Sequence, residues 1–253
     1  MFQPHEEFEP PDDTAILWRY QDLPRYIDLL LKHQLFFSRA DKFEDPFEGK
    51  YTLQSRKELM KEQMKSNHIK NEDADKVREM VEKITEEHHA KRTCVTINSW
   101  HRNGDENYAM WKIYARGDYG LAIQTTYERL RRCFDATDKA VFIGKVNYYN
   151  ESCEPIPFGD ELIPFLRKRR IYEYENEVRC CYVIPQEAQE FTWQEQDTYD
   201  GIFVNVDLNT LIERIYISPY SPKWIRDIIA GVNEKFNIEK EIIHSRVFDS
   251  EEY

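Results

Sequence analysis

Glycine is scarce in this sequence, 8 residues of 253, which leaves few places where bare backbone could wrap a phosphate. The signatures that depend on it are missing. There is no G-x-x-x-x-G-K-[S/T], G-x-G-x-x-G or G-x-S-x-G, and no H-E-x-x-H of the zinc peptidases. The five cysteines are an odd number without a C-x-x-C pair, which fits free thiols in a reducing compartment, so a cytoplasmic location is expected. Cationic charge is short as well: 35 Lys and Arg face 47 Asp and Glu, a net charge of -12. That balance argues against general affinity for phosphate backbones. One local basic patch remains, Arg167, Lys168, Arg169 and Arg170, read here as a solvated helix end. No apolar run approaches membrane-spanning length, and the acidic start M-F-Q-P-H-E-E-F-E-P-P-D-D is unlike a secretory signal.

What is present begins with helix and strand texture. Residues Ala15 to Tyr20 read as a strand and L-P-R-Y-I-D-L-L-L-K-H as a helix with Leu23, Ile27, Leu30 and Leu31 on one stripe. Q-L-F-F-S-R reads as a strand leading into A-D-K-F-E-D-P-F-E-G-K, an irregular connection anchored by Phe43 and Phe47. Those two aromatics serve either as buried pins or as a pocket wall. From Leu53 to Arg92 there is neither Gly nor Pro, so a helical hairpin is expected over 53–92, with a break near Ser66 to Asn71 and Asn71 as a cap. Val77, Met80, Val81 and Ile84 share a face of its second helix.

After the hairpin, strand-like runs dominate: C-V-T-I-N-S-W, G-L-A-I-Q-T-T-Y, A-V-F-I-G-K-V-N-Y-Y, V-R-C-C-Y-V-I, G-I-F-V-N-V-D, E-R-I-Y-I-S and E-I-I-H-S-R-V-F. Short helices are expected around Met110, around Phe165, and over P-K-W-I-R-D-I-I-A-G-V-N-E-K-F with Trp224, Ile228, Ile229 and Val232 as its stripe. Helices cluster early and strands late without regular alternation. The expectation is one α+β domain over 1–253, a mostly antiparallel or mixed sheet with an early inserted helical hairpin.

Y-E-Y-E-N-E-V-R-C carries three alternate carboxylates, Glu173, Glu175 and Glu177, into an apolar segment. On an extended chain they share one face, so either water or a cation must serve them. Glu177, nearest the apolar run and on the face of Arg179, most needs a partner. The histidines are scattered, and Cys94 with His88, His89 and His101 lacks zinc spacing, so no metal site is expected. Asp41, Glu44, Asp45 and Glu48 form the other dense acidic group, the kind of cluster a metal-dependent nuclease would need.

Five segments in order, L-W-R-Y, L-F-F-S-R-A-D-K-F-E-D-P-F-E, N-Y-A-M-W-K-I-Y-A-R-G-D-Y-G-L-A-I, K-R-R-I-Y-E-Y-E-N-E-V-R and I-E-R-I-Y-I-S-P, together resemble the bacterial domain of unknown function family 2971. The likeness spans most of the chain and departs from the common pattern at Glu44 and Ile113. It implies a bacterial protein with relatives in abortive infection against phage, and no settled activity. The order of motifs is also similar to the R-S-E layout of ADP-ribosyltransferases, with Arg19, Ser99 and Glu177 at the three positions and Glu175 completing an E-x-E. That resemblance implies NAD as a substrate rather than a tightly bound cofactor, in a phage-defence or toxin-type enzyme. Glu177 would stabilise a ribosyl cation and Glu175 would serve the acceptor. Arg19 would hold phosphates or ribose, Ser99 would support the glutamate, and Tyr20, Trp111 or Tyr114 would stack on the ring. The other reading is a non-catalytic nucleotide- or partner-binding module, in which Glu177 is an ion-paired structural residue.

Overall fold

The computed structural model describes residues 1–66, 74–115, 117–150, 152–185 and 200–249. Its central strand is β3 (Val95–Arg102), and β8 (Glu177–Val183) pairs antiparallel along one edge of it from Val95 to His101. A strand has only two edges, yet β3 has two further partners. β2 (Gln34–Arg39) pairs with Thr96 and Ile97, while β1 (Ile16–Asp22) pairs with His101 and Arg102. Both therefore lie on the remaining edge, one at each end, and the sheet forks beside residues 98–100.

Each arm of the fork continues outward. β4 (Gly120–Thr126), β10 (Arg214–Ile217) and β11 (Glu241–His244) extend the β1 arm, β9 (Gly201–Asn205) flanks β2, and β5 (Phe142–Lys145) flanks β8. Among the described residues, β10 with β11 is the only parallel strand pair of this sheet, so the class is α+β with a mixed, mostly antiparallel sheet. A-V-F-I-G-K-V-N-Y-Y, expected as one strand, is two. At Val146 the backbone N–H bonds the Glu177 carbonyl (2.9 Å), and the chain leaves the sheet to form β6 (Asn147–Tyr149), parallel to β7 (Arg167–Arg169). The helix expected around Phe165 is a single turn, Ile163–Leu166, before β7. Pro164 lacks an amide hydrogen and favours such a short element.

Alternation along the strands sorts the core into two faces. On one, α1 (Leu23–Lys32), α5 (Tyr127–Arg132), α6 (Leu208–Leu211) and α7 (Ile225–Lys235) cover Leu17, Phe37, Trp100, Ile123, Val178 and Cys180. On the other, α4 (Tyr108–Tyr114) covers Trp18, Tyr20 and Ala122 with Met110 and Trp111, and Phe165 and Leu166 cover Val95, Ile97 and Cys181. Between these two clusters Ser99, His101, Glu177 and Arg179 leave a polar gap.

Helix ends follow local chemistry. The Asp22 carboxylate accepts from the Arg25 amide (2.9 Å), Pro24 sits in the first turn of α1, and left-handed His33 (φ 53) ends it. The buried stripe of α1 is Tyr26, Leu29 and Leu30, and Leu31 is exposed; in α7 it is Ile225, Ile229 and Asn233, with Trp224 and Ile228 exposed. The apolar arc of each helix is wider than the strip its neighbours cover, so periodicity placed the stripe about one position off. In the hairpin, α2 (Leu53–Ser66) and α3 (Ala74–Ala90) pack through Leu59, Val77 and Val81, with Met80 exposed. The expected break and the Asn71 cap lie outside the described residues, apart from Ser66 at the end of α2. Among the described residues no helix is long and apolar enough to cross a membrane. Cys180 and Cys181 face opposite cores, and all five cysteines are free thiols.

Candidate functional site

Where the sheet forks, backbone groups lose their ladder partners and side chains replace them. The Arg19 guanidinium donates to the Ser99 carbonyl (3.0 Å), and Asn98 Nδ2 donates to the Phe36 carbonyl (2.8 Å). Asn98 Oδ1 in turn accepts from Trp100 Nε1 (2.8 Å). One short run, N-S-W, thus holds the fork open and seats the Trp100 ring 5.9 Å from the Arg19 guanidinium carbon.

The acidic wall is built by a turn rather than a strand. Residues Arg170–Glu175 form a 3-10 turn, and Asn176 adopts a left-handed conformation (φ 39) that reverses the chain into β8. Asn tolerates this region because its short amide bonds nearby backbone; here Asn176 Nδ2 donates to the Arg102 carbonyl (2.5 Å). Glu175 and Glu177 are therefore both turned inward, while Glu173 is exposed. The shared face expected from alternation exists for two of the three acids, for a different geometric reason.

The buried charges form one network. Lys168 Nζ bridges Glu175 and Glu177. Arg179, with no exposed surface, donates through Nε to Glu177 (2.8 Å) and clasps both oxygens of Glu48 (2.5 and 3.0 Å). Its remaining reach goes to the Phe165 carbonyl (2.6 Å). The Tyr114 hydroxyl donates to Glu175 Oε1 (3.0 Å), and the Tyr148 hydroxyl accepts from the Glu177 amide (2.9 Å). Glu48 reaches Arg179 because Gly49 turns the loop at φ 66; a Cβ there would lie 2.3 Å from the Phe165 ring.

These surroundings drive the two glutamates apart. Burial, reinforced by the neighbouring Glu177, raises the Glu175 carboxyl to about 7. Burial also opposes ionisation of Glu177, but Arg179 and Lys168 outweigh it and hold its carboxyl well below the usual range. On the opposite wall, desolvation lowers the Arg19 guanidinium to about 10, with the Cys180 thiol opposing the shift and Arg25 adding to it.

A cavity of about 620 Å³ opens between these walls, within the range of small-molecule sites. Arg19, Tyr20, Phe43, Ser99, Tyr114, Glu175 and Glu177 all line it, as do Arg25, Trp100, His101, Lys168, Tyr172 and Tyr174. Trp111 does not: it is fully buried, donates to Glu106 Oε2 (3.1 Å), and packs edge-on behind Tyr20. Phe47 does not either, lying exposed beneath the Arg169 guanidinium (4.7 Å). Tyr20 is largely sequestered, with its hydroxyl accepting the Asn107 amide (2.9 Å).

The basic run is not a solvated helix end. Lys168 is buried between the glutamates, Arg169 pairs with Asp45 (2.8 Å) and Arg170 with Glu154 (3.6 Å), so most of its charge is compensated. The acidic group near residue 45 is likewise dispersed onto arginines, Asp41 to Arg39 (2.8 Å), Asp45 to Arg169 and Glu48 to Arg179. Among the described residues no group of three or more His, Cys, Asp and Glu side chains could hold a metal.

Asn98, His101 and Lys168 were not assigned to the site from sequence. His101 had a findable signal, since it lies two residues beyond Ser99 on the same strand face, whereas Asn98 lies on the opposite face. Lys168 had none, because a basic run reads as surface. No protein-family model, no curated protein and no solved structure matches the chain.

Proposed function

We propose that the forked cleft binds a nucleotide of the NAD type and cleaves its nicotinamide–ribose bond, either to water or to an acceptor. The observation that carries this reading is the geometry of the acidic pair: Glu175 and Glu177 line the same cavity and share Lys168, while Arg179 bonds Glu177, so Glu177 is held ionised and burial raises Glu175. Two carboxyls with separated proton affinities are how one site supplies both a charge stabiliser and an acid–base group. As the C–N bond breaks, its electron pair leaves with neutral nicotinamide and the ribose carbon becomes an oxocarbenium ion. Glu177 stabilises that cation, the incoming nucleophile adds to the same carbon, and Glu175 takes its proton.

The other end of the ligand has a matching wall. Arg19 and Arg25 have no carboxylate partner among the described residues and suit a diphosphate. Tyr114, Tyr172 and Tyr174 offer ring faces for stacking. The resemblance in motif order to ADP-ribosyltransferases supports these roles, and the resemblance to domain of unknown function family 2971 supports a setting in phage defence or a toxin-type stress response.

One observation favours a second reading, a non-catalytic nucleotide- or partner-binding module. Both Glu177 oxygens are already bonded by Lys168 and Arg179, an arrangement equally suited to holding a wall rigid. Incubating purified protein with NAD and following nicotinamide by chromatography separates the two. Release supports the enzyme. Binding of NAD without consumption supports the module, and neither binding nor release removes both.

A further inference from the structure

β3 places a second functional side chain in the cleft, two residues beyond Ser99 and on the same face. His101 is 4% exposed and lines the cavity. Its Nδ1 lies 2.6 Å from the Glu175 carbonyl oxygen. A carbonyl oxygen can only accept, so Nδ1 carries the hydrogen. Nε2 is then the lone-pair nitrogen of a neutral ring, and it has no hydrogen-bond partner among the described residues. Burial favours the same neutral state. A buried acceptor with no protein partner costs stability, and one on a residue that lines a cleft is placed to take a donor from a bound ligand.

The position of His101 says which donor. In the β3–β8 ladder His101 is directly opposite Glu177, and opposed side chains stand about 5 Å apart at Cβ. A ligand whose reacting carbon faces Glu177 therefore brings its adjoining atoms to His101. We propose that His101 is the specificity-determining residue of the cleft, with Nε2 accepting a hydrogen bond from a sugar hydroxyl beside the carbon that Glu177 serves. The site then favours ribose over the deoxy sugar, because without that hydroxyl Nε2 stays buried and unpaired. The inference rests on the nucleotide reading above. It makes His101 a substrate-binding residue and, through the Glu175 carbonyl, ties recognition of the sugar to the turn that carries Glu175.

The test uses the full chain and ADP-ribose, which keeps the diphosphate and terminal ribose without the leaving group. Titration calorimetry compares it with analogues lacking the 2″- or 3″-hydroxyl of that ribose. Wild type is expected to prefer ADP-ribose over one analogue by about tenfold, the scale of one hydrogen bond. His101→Asn, which keeps a donor for the Glu175 carbonyl and removes the acceptor, is expected to lose that preference; His101→Gln, whose amide oxygen reaches toward the Nε2 position, is expected to restore part of it. A purely structural role would leave discrimination unchanged. If His101→Asn discriminates as wild type does, the inference fails and the nucleotide reading stands. If wild type binds none of the ligands, both fail. Should His101→Asn not fold, nitrogen NMR of wild type decides: the Nε2 resonance must move on saturation with ADP-ribose, and a resonance that stays put overturns the inference.

Discussion

At the scale of single residues, the two glutamates differ because of what surrounds each. Glu175 has a folded-state carboxyl raised to about 7 by burial and by Glu177. The native state therefore holds a proton that the unfolded chain has released between about pH 4.3, the ordinary glutamate value, and 7. Its contribution is fully present below the lower value and is lost as pH rises through the upper one. Glu177 has the opposite sign: its stabilisation is present above the ordinary value and is lost as pH falls toward its depressed one. Glu175→Gln should thus become progressively more stabilising relative to wild type from pH 5 to pH 8, as read in urea midpoints. The same substitution should remove an inflection near pH 7 from the pH–rate profile of nicotinamide release. Glu48→Ala leaves Arg179 buried with one carboxylate instead of two, and should cost about 3 kcal/mol or more, measured by chemical unfolding.

The residue pattern around these acids was partly legible. Y-E-Y-E-N-E-V-R led to Glu175, Glu177 and Arg179 because a carboxylate beside an apolar run needs a partner, and the chain supplies Arg179 two positions on. Lys168 was hidden because a basic run gives no sign that a turn will fold one of its members inward. Trp111 and Phe47 were ambiguous for another reason: a large aromatic reads alike whether it faces ligand, core or solvent, and only the packing of Trp111 behind Tyr20 separates them.

At the scale of elements, the fork in the sheet is what makes a cleft. Strand texture located β1, β2, β3 and β8 closely, since each is a short apolar run bounded by polar residues. Their pairing was not legible, because three strands meeting one is a long-range arrangement with no local signature. Asn98 bears the consequence: its amide satisfies the Phe36 carbonyl and accepts from Trp100. Asn98→Ala strands both groups and should cost about 1–3 kcal/mol. Amide exchange should rise in β2 and in the middle of β3, and remain unchanged in β10 and β11. If exchange rises evenly across all strands, Asn98 is an ordinary core residue and the fork does not depend on it. Gly49 works at the same level, since the loop can carry Glu48 to Arg179 only where no side chain meets the Phe165 ring.

At the scale of the whole molecule, a protein of net charge -12 presents a local cationic wall to an anionic ligand. General repulsion and local attraction have different ranges, and salt screens the first more than the partly buried second. Affinity for ADP-ribose should therefore change little between low and physiological salt, whereas Arg19→Met should weaken it by roughly 10- to 100-fold, the range of hydrogen bonds to charged groups. A steep fall in affinity with salt would indicate loose surface binding instead. The central claim, that Glu177 stabilises charge on a departing ribose, is tested most directly by the single-turnover rate of nicotinamide release from NAD by wild type and Glu177→Gln, both shown folded by circular dichroism. The account predicts measurable release by wild type and a rate at least about 100-fold lower for Glu177→Gln; equal rates in the two proteins would contradict it.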